Sequence, residues 1–411
     1  MTDGSVYEEL GVPTVVNAAG TKTRIGGSRI RPEAREAMDR AAESFVRLSD
    51  LQAAASERIA EVTGAEAGYV TNGAAGALLL GAAACIAGTD PGAMARLPDT
   101  AGVADEIVMP RTHRTGYDHA LRTAGATVVD VGTNDADLGT GARNVEPWEY
   151  GDAIGEDTAA VAHVYKSDEG PPLAEVCEIA HDHDVPVIVD AAAELPPVEN
   201  LSRFTERGAD LVAFSGGKAI RGPQTTGILA GRADLVESVA AQHLDMHATA
   251  SVWDPPERLL DADRFDGVPR QGVGRPLKVG KEELVGLLAA LDAFIEEDHE
   301  ATCAEWRDRA DAVAAALDAV EGLSTTVADG AKSVAPTVSV AVDAERAGAS
   351  AADLVLALRR EDPRVFVGAD GADEGSFAVS PMCLTDEEAE YVVERVRAIL
   401  DSGVSASDAA D

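Results

Sequence analysis

A lysine bracketed by glycines at the end of an apolar run is the residue of this sequence best placed to do chemistry. Residues 209–213 read Ala-Asp-Leu-Val-Ala, and Phe-Ser-Gly-Gly leads from them to Lys218. The run predicts a buried parallel strand, and α/β proteins bind ligands at the carboxyl ends of such strands. Partial burial lowers the pKa of a lysine amine and makes it a better nucleophile toward an aldehyde. The alternative is an exposed turn lysine.

A second apolar run, residues 185–189, ends in Asp190 one strand–helix–strand step before Lys218. A carboxylate there can pair with the pyridine nitrogen of pyridoxal 5′-phosphate (PLP) and keep it protonated, which makes the ring an electron sink. The small residues that follow, among them Ala192, leave room for a flat ring against the backbone. An isolated aspartate would instead be an N-cap. Paired with Lys218, Asp190 predicts a PLP site with Lys218 as the Schiff-base lysine.

Small polar residues join a third predicted strand to an alanine-rich helix, in the order Thr71, Asn72, Gly73 and Ala74. The free N–H groups and the dipole at the start of a helix bind phosphate well. Ser215, shortly before Lys218, offers a further hydroxyl. The alternative for Thr71 or Asn72 is a simple helix cap.

A histidine, His113, follows the strand predicted at 106–110. Its imidazole is expected to stack on the cofactor ring. A loop histidine that makes only local hydrogen bonds is the alternative.

Basic residues gather in two stretches, 22–31 and 264–281, of an otherwise acidic chain. Within them Arg24, Arg275 and Lys278 are predicted to bind the anionic group of a substrate. Surface solubility is the alternative. The cysteines are scattered and predict neither a disulfide framework nor a metal site.

The elements that must position these residues follow from the pattern of apolar runs. Short runs alternate with helical patterns, as in a parallel sheet covered by helices. Strands are predicted at Ala67–Thr71, Glu106–Pro110, Ala126–Val131, Ala159–Tyr165, Val185–Asp190, Ala209–Ser215 and Gly227–Ala230. After about residue 280 the pattern is typical of a smaller α+β domain. We therefore expect an α/β fold with an N-terminal arm (1–40), a large PLP-binding domain with a mostly parallel seven-stranded sheet (41–280), and a bridging helix with a small C-terminal α+β domain (281–411).

The charge balance is strongly acidic. Asp and Glu number 72 against 34 Lys and Arg, which gives a net charge of −38. The acids are spread along the whole chain, as in proteins adapted to a high-salt cytoplasm. Such a field repels nucleic-acid phosphates. No secretory leader or membrane-length apolar stretch is recognisable. We expect a halophilic, cytoplasmic protein with neither a membrane nor a nucleic-acid partner.

Five stretches of the sequence resemble fold-type I PLP enzymes. They are VNAAGTKTRIGG (16–27), TGAEAGYVTNGAAG (63–76), VIVDAAAELPPVENL (187–201), GADLVAFSGGKAIRGPQTTGIL (208–229) and GRPLKVGKEELVGLLAAL (274–291). The resemblance is to the group of L-seryl-tRNA(Sec) selenium transferase (selenocysteine synthase) and D-glucosaminate-6-phosphate ammonia-lyase.

The resemblance implies the same two central roles, Lys218 as the Schiff-base lysine and Asp190 as the pyridinium partner. It also implies a homodimer with active sites at the interface, where Gln224 and Thr225 reach the neighbour's cofactor. The residues that it implies around the phosphate are Asn72, Gly73, Ala74 and Ser215.

The expected reaction is elimination by a PLP-dependent lyase acting on a small anionic amino acid or a phosphorylated amino sugar acid. Lys218 would remove the α-proton, and His113 or a bound water would act as the acid. The alternatives are a selenium transferase acting on seryl-tRNA, an aminotransferase or aldolase, and a non-catalytic protein of PLP fold. The transferase reading is disfavoured because the arm starts almost at Met1, without the tRNA-binding region that precedes it in selenocysteine synthase, and because the net charge opposes tRNA binding.

Overall fold

The computed structural model describes residues 5–134, 144–165, 170–265, 267–328 and 335–403. These residues fall into two compact units. One comprises Ile30–Glu296, and the other the described residues of Met1–Arg29 and Glu297–Asp411. In the described part of the chain, no helix is both long and apolar enough to cross a membrane.

The larger unit is built on one sheet. Its strands, as far as the described residues show, are β2 (Ala67–Asn72), β3 (Glu106–Pro110), β4 (Thr127–Val131), β5 (Thr158–Val164), β6 (Val187–Asp190), β7 (Leu211–Ser215) and β8 (Thr226–Gly231). They lie in the order β2-β8-β7-β6-β5-β3-β4. Only β8 runs against its neighbours, β2 and β7. The predicted seven-stranded, mostly parallel α/β sheet is confirmed.

The direction of the strands determines where the candidate residues lie. Because β2, β3, β5, β6 and β7 all run the same way, their carboxyl ends share one edge of the sheet. Eight of the predicted site residues sit at or within three residues after these ends. They are Asn72, Gly73, Ala74, His113, Asp190, Ala192, Ser215 and Lys218.

Helices cover both faces of this sheet. The helices of the larger unit are α2 (Pro32–Ala42), α3 (Leu48–Thr63), α4 (Gly73–Ala87), α5 (Pro91–Arg96), α6 (Asp118–Thr123), α7 (Pro147–Ala153), α8 (Leu173–His181), α9 (Asn200–Glu206), α10 (Ala233–His243) and α11 (Lys281–Glu296). The central one, α4, is apolar all round and almost wholly buried, as expected of a helix packed on every side. Its small residues allow a close approach to the sheet, since a Cβ at Gly81 would lie 3.3 Å from Leu211 Cδ1.

The smaller unit combines five helices with two short sheets in the described residues. Its helices are α1 (Val6–Glu9), α12 (His299–Asp318), α13 (Ala344–Ala347), α14 (Ala351–Leu358) and α15 (Asp386–Ser402). Its strands are β1 (Val15–Ala18), β9 (Leu323–Ala328), β10 (Thr337–Val342), β11 (Arg364–Val367) and β12 (Ser376–Val379). β9, β10 and β12 form an antiparallel sheet. β1 pairs with β11 in parallel, so the predicted arm includes a strand.

The unit boundaries differ from the predicted ones at residues 40 and 280. The predicted bridging helix, α11, belongs to the larger unit, because it packs along α2. Gly286 makes this packing close, since a Cβ there would lie 2.6 Å from Met38 Cγ. The first 29 residues belong instead with the C-terminal elements, through the pairing of β1 with β11.

Candidate active site

The lysine predicted to be reactive lies in a closed turn directly after β7. Lys218 is half-buried. The turn is tied by two backbone hydrogen bonds, from Arg221 N–H to Lys218 O (3.0 Å) and from Gly222 N–H to Gly216 O (2.8 Å). Glycine is required at 217, because a Cβ would lie 2.5 Å from Gln224 Cα. The sequence Gly-Gly-Lys therefore folds the chain back tightly and leaves the lysine at the sheet edge.

The carboxylate predicted to hold the ring nitrogen ends the neighbouring strand. Asp190 is the last residue of β6 and lies beside Ala213 of β7. Burial raises the pKa of Asp190, while a hydrogen bond from the Ala192 N–H (3.0 Å) and the charge of Lys218 act in the opposite direction. A cation placed beside this carboxyl group would favour its ionised form.

The turn of small residues that is predicted to bind a phosphate, here called the phosphate turn, joins β2 directly to α4. Asn72 ends the strand, and Gly73 starts the helix with a φ of +69°. The space beside Gly73 is open, since no atom of the described residues would lie within 4 Å of a Cβ there. Thr71 has a local role, because its buried hydroxyl donates to the Gly73 carbonyl (2.9 Å).

Strand pairing places Ser215, the second predicted phosphate ligand, opposite Thr71 across the intervening strand β8. Ser215 of β7 pairs with Gly227 of β8, and Gly227 pairs with Thr71 of β2. Ser215 is thus two strand spacings, about 10 Å, from the backbone of Thr71. Glycine is needed at 227 because a Cβ would lie 2.4 Å from the carbonyl carbon of Gly73.

The histidine after β3 is buried and is paired with a second histidine that the sequence reasoning missed. The rings of His113 and His163 meet edge to face, with centroids 4.6 Å apart. The Val164 N–H donates to His113 Nδ1 (3.3 Å), so a neutral His113 has its proton on Nε2. Burial lowers the pKa of His163 to about 3, which keeps that ring neutral. The sequence did contain a signal for His163, since it is a polar residue within the otherwise apolar strand β5.

A second carboxyl group near Asp190 was also missed. Glu194 lies in the loop after β6, and its pKa is raised first by burial and then by the charge of Asp190, with Lys218 opposing. These effects show that the three side chains are electrostatically coupled. The position of Glu194, four residues past Asp190, belongs to no recognisable motif, so sequence alone gave no reason to select this residue.

A shallow pocket opens beside Asp190 on the side of β5 and β3. Its lining includes His163, Met109, Tyr117 and Asp118. The pocket therefore has His163, one of the two paired histidines, and Asp190 in the same lining.

The predicted substrate-binding residues are not all brought together. Arg275 is half-buried and donates to Asp245 (3.2 Å), while Lys278 is exposed. Between them, the Leu277 carbonyl is bonded to the buried His243 Nε2 (2.7 Å), whose Nδ1 is bonded to the Tyr69 hydroxyl (2.9 Å). Arg24, which is exposed, lies in the smaller unit.

The two residues expected to reach a neighbouring subunit follow the lysine turn. Thr225 is exposed, and its hydroxyl donates to Glu283 of the same chain (2.9 Å). Gln224 is half-buried, and its Cα lies beside Gly217.

Groups of three or more metal-binding side chains are absent from the described residues. His181, which lies near Cys177 in α8, bonds instead to Asp210 (2.8 Å).

The donor set fits PLP. The open start of α4 and the Ser215 hydroxyl suit a phosphate, and the half-buried Lys218 amine suits an aldehyde. The half-buried Asp190 suits a protonated ring nitrogen, a cation that would favour the ionised carboxylate.

Comparison with known proteins gives the same assignment. Residues 15–248 match the family described as L-seryl-tRNA selenium transferase. The chain belongs to this selenium transferase family. Members of the family use PLP, and the chain is a PLP-dependent enzyme of the lyase and transferase kind with the fold-type I architecture.

Two curated relatives are similar to this chain over nearly their full length. The D-glucosaminate-6-phosphate ammonia lyase of Salmonella typhimurium is 31% identical over 404 residues, which are 96% of this chain and 98% of the lyase. A 5′-C-glycyluridine monooxygenase-decarboxylase of a Streptomyces species is 34% identical over 406 residues, 96% of this chain and 92% of that enzyme.

A solved structure of D-glucosaminate-6-phosphate ammonia-lyase is also similar. It superposes with a TM-score of 0.80 at 30% identity and covers 98% of this chain and 100% of the other.

Chemical trapping tests the assignment of the lysine. Borohydride reduction of the yellow holoenzyme in high salt should place a pyridoxyl group on Lys218, and Lys218→Ala should abolish the absorbance band, because no other amine lies in this turn. Peptide mass mapping locates the adduct. The exposed Lys22 provides a matched control, since Lys22→Ala should keep the band. An adduct on Lys22, Lys278 or Lys166, the last outside the described residues, would contradict the assignment.

Replacing Asp190 with Asn tests the carboxylate. The amide has the same shape but cannot hold a protonated ring nitrogen, so turnover should fall on the order of 100-fold or more while cofactor affinity changes little. Steady-state kinetics and cofactor titration separate the two effects. Asp182→Asn, at an exposed helix end, is the control. Unchanged turnover in Asp190→Asn would mean that Asp190 only stabilises the loop, by accepting a hydrogen bond from the Ala192 N–H.

Proposed function

We propose that this protein is a PLP-dependent ammonia-lyase acting on a small anionic amino acid or a phosphorylated amino sugar acid. One observation supports this most directly, namely the full-length similarity to D-glucosaminate-6-phosphate ammonia lyase in sequence and in structure. The site adds a coupled Lys218, Asp190 and Glu194 at one sheet edge.

The cofactor would be held at four places. Asn72, Gly73, Ala74 and Ser215 would surround its phosphate, and Asp190 would face its ring nitrogen. Ala192 and His113 would lie against the faces of the ring, and Lys218 would be the amine that binds its aldehyde. Bound there, PLP supplies an electron sink for the carbanion formed at the substrate α-carbon.

Each side chain has a separate task in the proposed elimination. Lys218 would accept the α-proton of the substrate, and its half-buried position at the sheet edge limits the contact of its amine with water. His113, with its proton on Nε2, or a bound water donates a proton to the departing β-hydroxyl. Hydrolysis of the eliminated product then yields ammonia and a 2-oxo acid.

The anionic end of the substrate would be recognised by basic residues. We assign Arg275 and Lys278 of the larger unit to this role. Arg24 is a candidate from its place in the basic stretch of the sequence. Two or three such groups are enough for one phosphate or carboxylate. The acidic surface, with a net charge of −38, disfavours a tRNA substrate.

A second reaction class is favoured by a specific observation. The monooxygenase-decarboxylase relative is 34% identical over a similar length, so the same residues could support oxidative loss of the substrate carboxylate. That reaction consumes oxygen and releases carbon dioxide. Selenium transfer to seryl-tRNA is a third class, and family membership supports it.

Product analysis distinguishes the three. With a panel of small hydroxyamino acids and phosphorylated amino sugar acids, we expect ammonia and 2-oxo acid in equal amounts without oxygen uptake. Arg275→Ala should raise the KM roughly tenfold, because it removes one charge-assisted contact. The exposed Arg96→Ala is the control.

Two results would redirect the assignment. Oxygen uptake with carbon dioxide release would identify a decarboxylase. Seryl-tRNA binding, without a response to any small amino compound, would identify a transferase.

We also propose that the protein is a homodimer of a high-salt cytoplasm. An exposed apolar segment between α2 and α3 supports a protein–protein contact, since Phe45 is fully exposed and Val46 and Leu48 are exposed beside it. Gln224 and Thr225 would then reach the neighbour's cofactor. The dispersed acidic residues support the high-salt setting.

Sedimentation velocity tests this assembly. In high potassium chloride we expect a dimer, and in low salt dissociation, because like charges on the two copies are then unscreened. Phe45→Ser should shift the equilibrium toward monomer at every salt concentration, whereas Trp148→Ser, another exposed aromatic substitution, should not. A monomer for the wild-type protein in high salt would contradict the proposal.

A further inference from the structure

One arginine of the basic stretch 22–31 is buried and faces the lysine turn. Arg31 is only 7% exposed. Its Nε donates to the Ile220 carbonyl (2.9 Å), and its backbone N–H donates to the Arg221 carbonyl (2.9 Å). The residue therefore binds two consecutive carbonyls of the turn that contains Lys218. This is a different role from the anion binding predicted for the basic stretch.

The lysine turn, Gly216–Gly222, needs a hydrogen-bond donor from outside for a carbonyl that its own hydrogen bonds do not use. Its own hydrogen bonds use the carbonyls of Gly216 and Lys218. The carbonyl of Ile220, a fully buried residue, is satisfied by the Arg31 side chain. Arg221 has a φ of +59°, a left-handed conformation that a residue with a β-carbon adopts only when its surroundings impose it.

The support behind Arg31 is rigid. Arg31 directly precedes α2, and α2 packs along α11. Leu287 of α11 packs against the same turn, since a Cβ at Gly216 would lie 2.6 Å, and one at Gly222 3.3 Å, from its Cδ1. The turn is thus held from one side by its own hydrogen bonds and from the other by the α2–α11 pair.

We propose that Arg31 is a positioning residue for the lysine of the active site. It fixes the turn Gly216–Gly222 in the strained conformation that places the Lys218 amine at the sheet edge. The role assigned to Lys218 rests on the proposed function, whereas the effect on the turn does not. The consequence is that Arg31 sets how fast Lys218 captures the cofactor aldehyde, without touching cofactor or substrate.

The test compares Arg31→Met with Arg35→Met. Arg35 lies one helical turn further along α2 and is exposed, so the second variant removes the same charge without opening the turn. Two quantities are measured. One is the rate at which apoprotein forms the absorbance band after PLP is added, and the other is the amide hydrogen exchange of residues 216–224.

In Arg31→Met, band formation should slow roughly tenfold, the factor expected from loss of one charge-assisted hydrogen bond. Exchange should accelerate in 216–224 and not in β5 or α10. Arg35→Met should change neither quantity. Arg31→Lys keeps the charge and the aliphatic stem and one donor, and it should recover part of the rate. It also provides the measurement if Arg31→Met does not fold.

Three outcomes would overturn the proposal. They are a band-formation rate in Arg31→Met equal to that of Arg35→Met, acceleration of exchange spread evenly over the larger unit, and Arg31→Lys behaving like wild type in exchange but not in rate. If trapping placed the cofactor on another lysine, the rate would lose its meaning for catalysis. The exchange result would still decide whether Arg31 holds the turn.

Discussion

The burial of one carboxylate at a sheet edge is the constraint on which the site depends. Asp190 ends a strand whose other residues are fully buried, so its carboxyl group is removed from most of the water that would stabilise its charge. The Ala192 N–H and the Lys218 charge offset part of this loss. A protonated pyridine ring would supply the rest. The role of such a ring beside Asp190 would therefore be to share its charge with the carboxylate and keep the ring nitrogen protonated.

Residues distant in sequence meet there because one strand reverses direction. β8 runs antiparallel between β7 and β2, and it places Gly227 between the lysine turn and the phosphate turn. Any side chain at this position would collide with the backbone at Gly73. Gly216 and Gly217 likewise allow the lysine turn to approach Thr226 and Gln224 closely. Close backbone packing, rather than side-chain contacts, sets the spacing between the two ends of the cofactor site.

Much of this arrangement could be predicted from the sequence, and the reasons differ by residue. Buried parallel strands appear as apolar runs, so the seven strands and the positions of Lys218 and Asp190 were readable. The pairing of β1 with β11 was not, because it joins residues more than 300 positions apart and only the fold brings them together. His163 and Glu194 were missed because their environment, not their neighbours in sequence, shifts their pKa values.

Basic residues were the hardest to interpret, because a positive charge in sequence does not reveal what it faces. Arg31 is buried on backbone carbonyls, whereas Arg275 is bonded to Asp245. The two contacts differ in the group that would lose a hydrogen bond if the arginine were removed, a backbone carbonyl beside Arg31 and a carboxylate beside Arg275. The pKa of Asp245 is strongly lowered, first by the backbone N–H of His247 and then by Gln271. Both of these groups donate to Oδ1, whereas Arg275 donates to Oδ2 of this exposed side chain.

A substrate anion bound by Arg275, as proposed above, would replace a single contact. One guanidinium nitrogen is engaged with Asp245, and the group has five N–H donors. In a chain with 72 acidic and 34 basic residues, each arginine meets competing carboxylates of its own surface. High salt screens exposed pairs of this kind more than it weakens a contact inside a pocket. In the high-salt setting proposed above, ions would screen the carboxylates around Arg275 and so favour its contact with a bound anion.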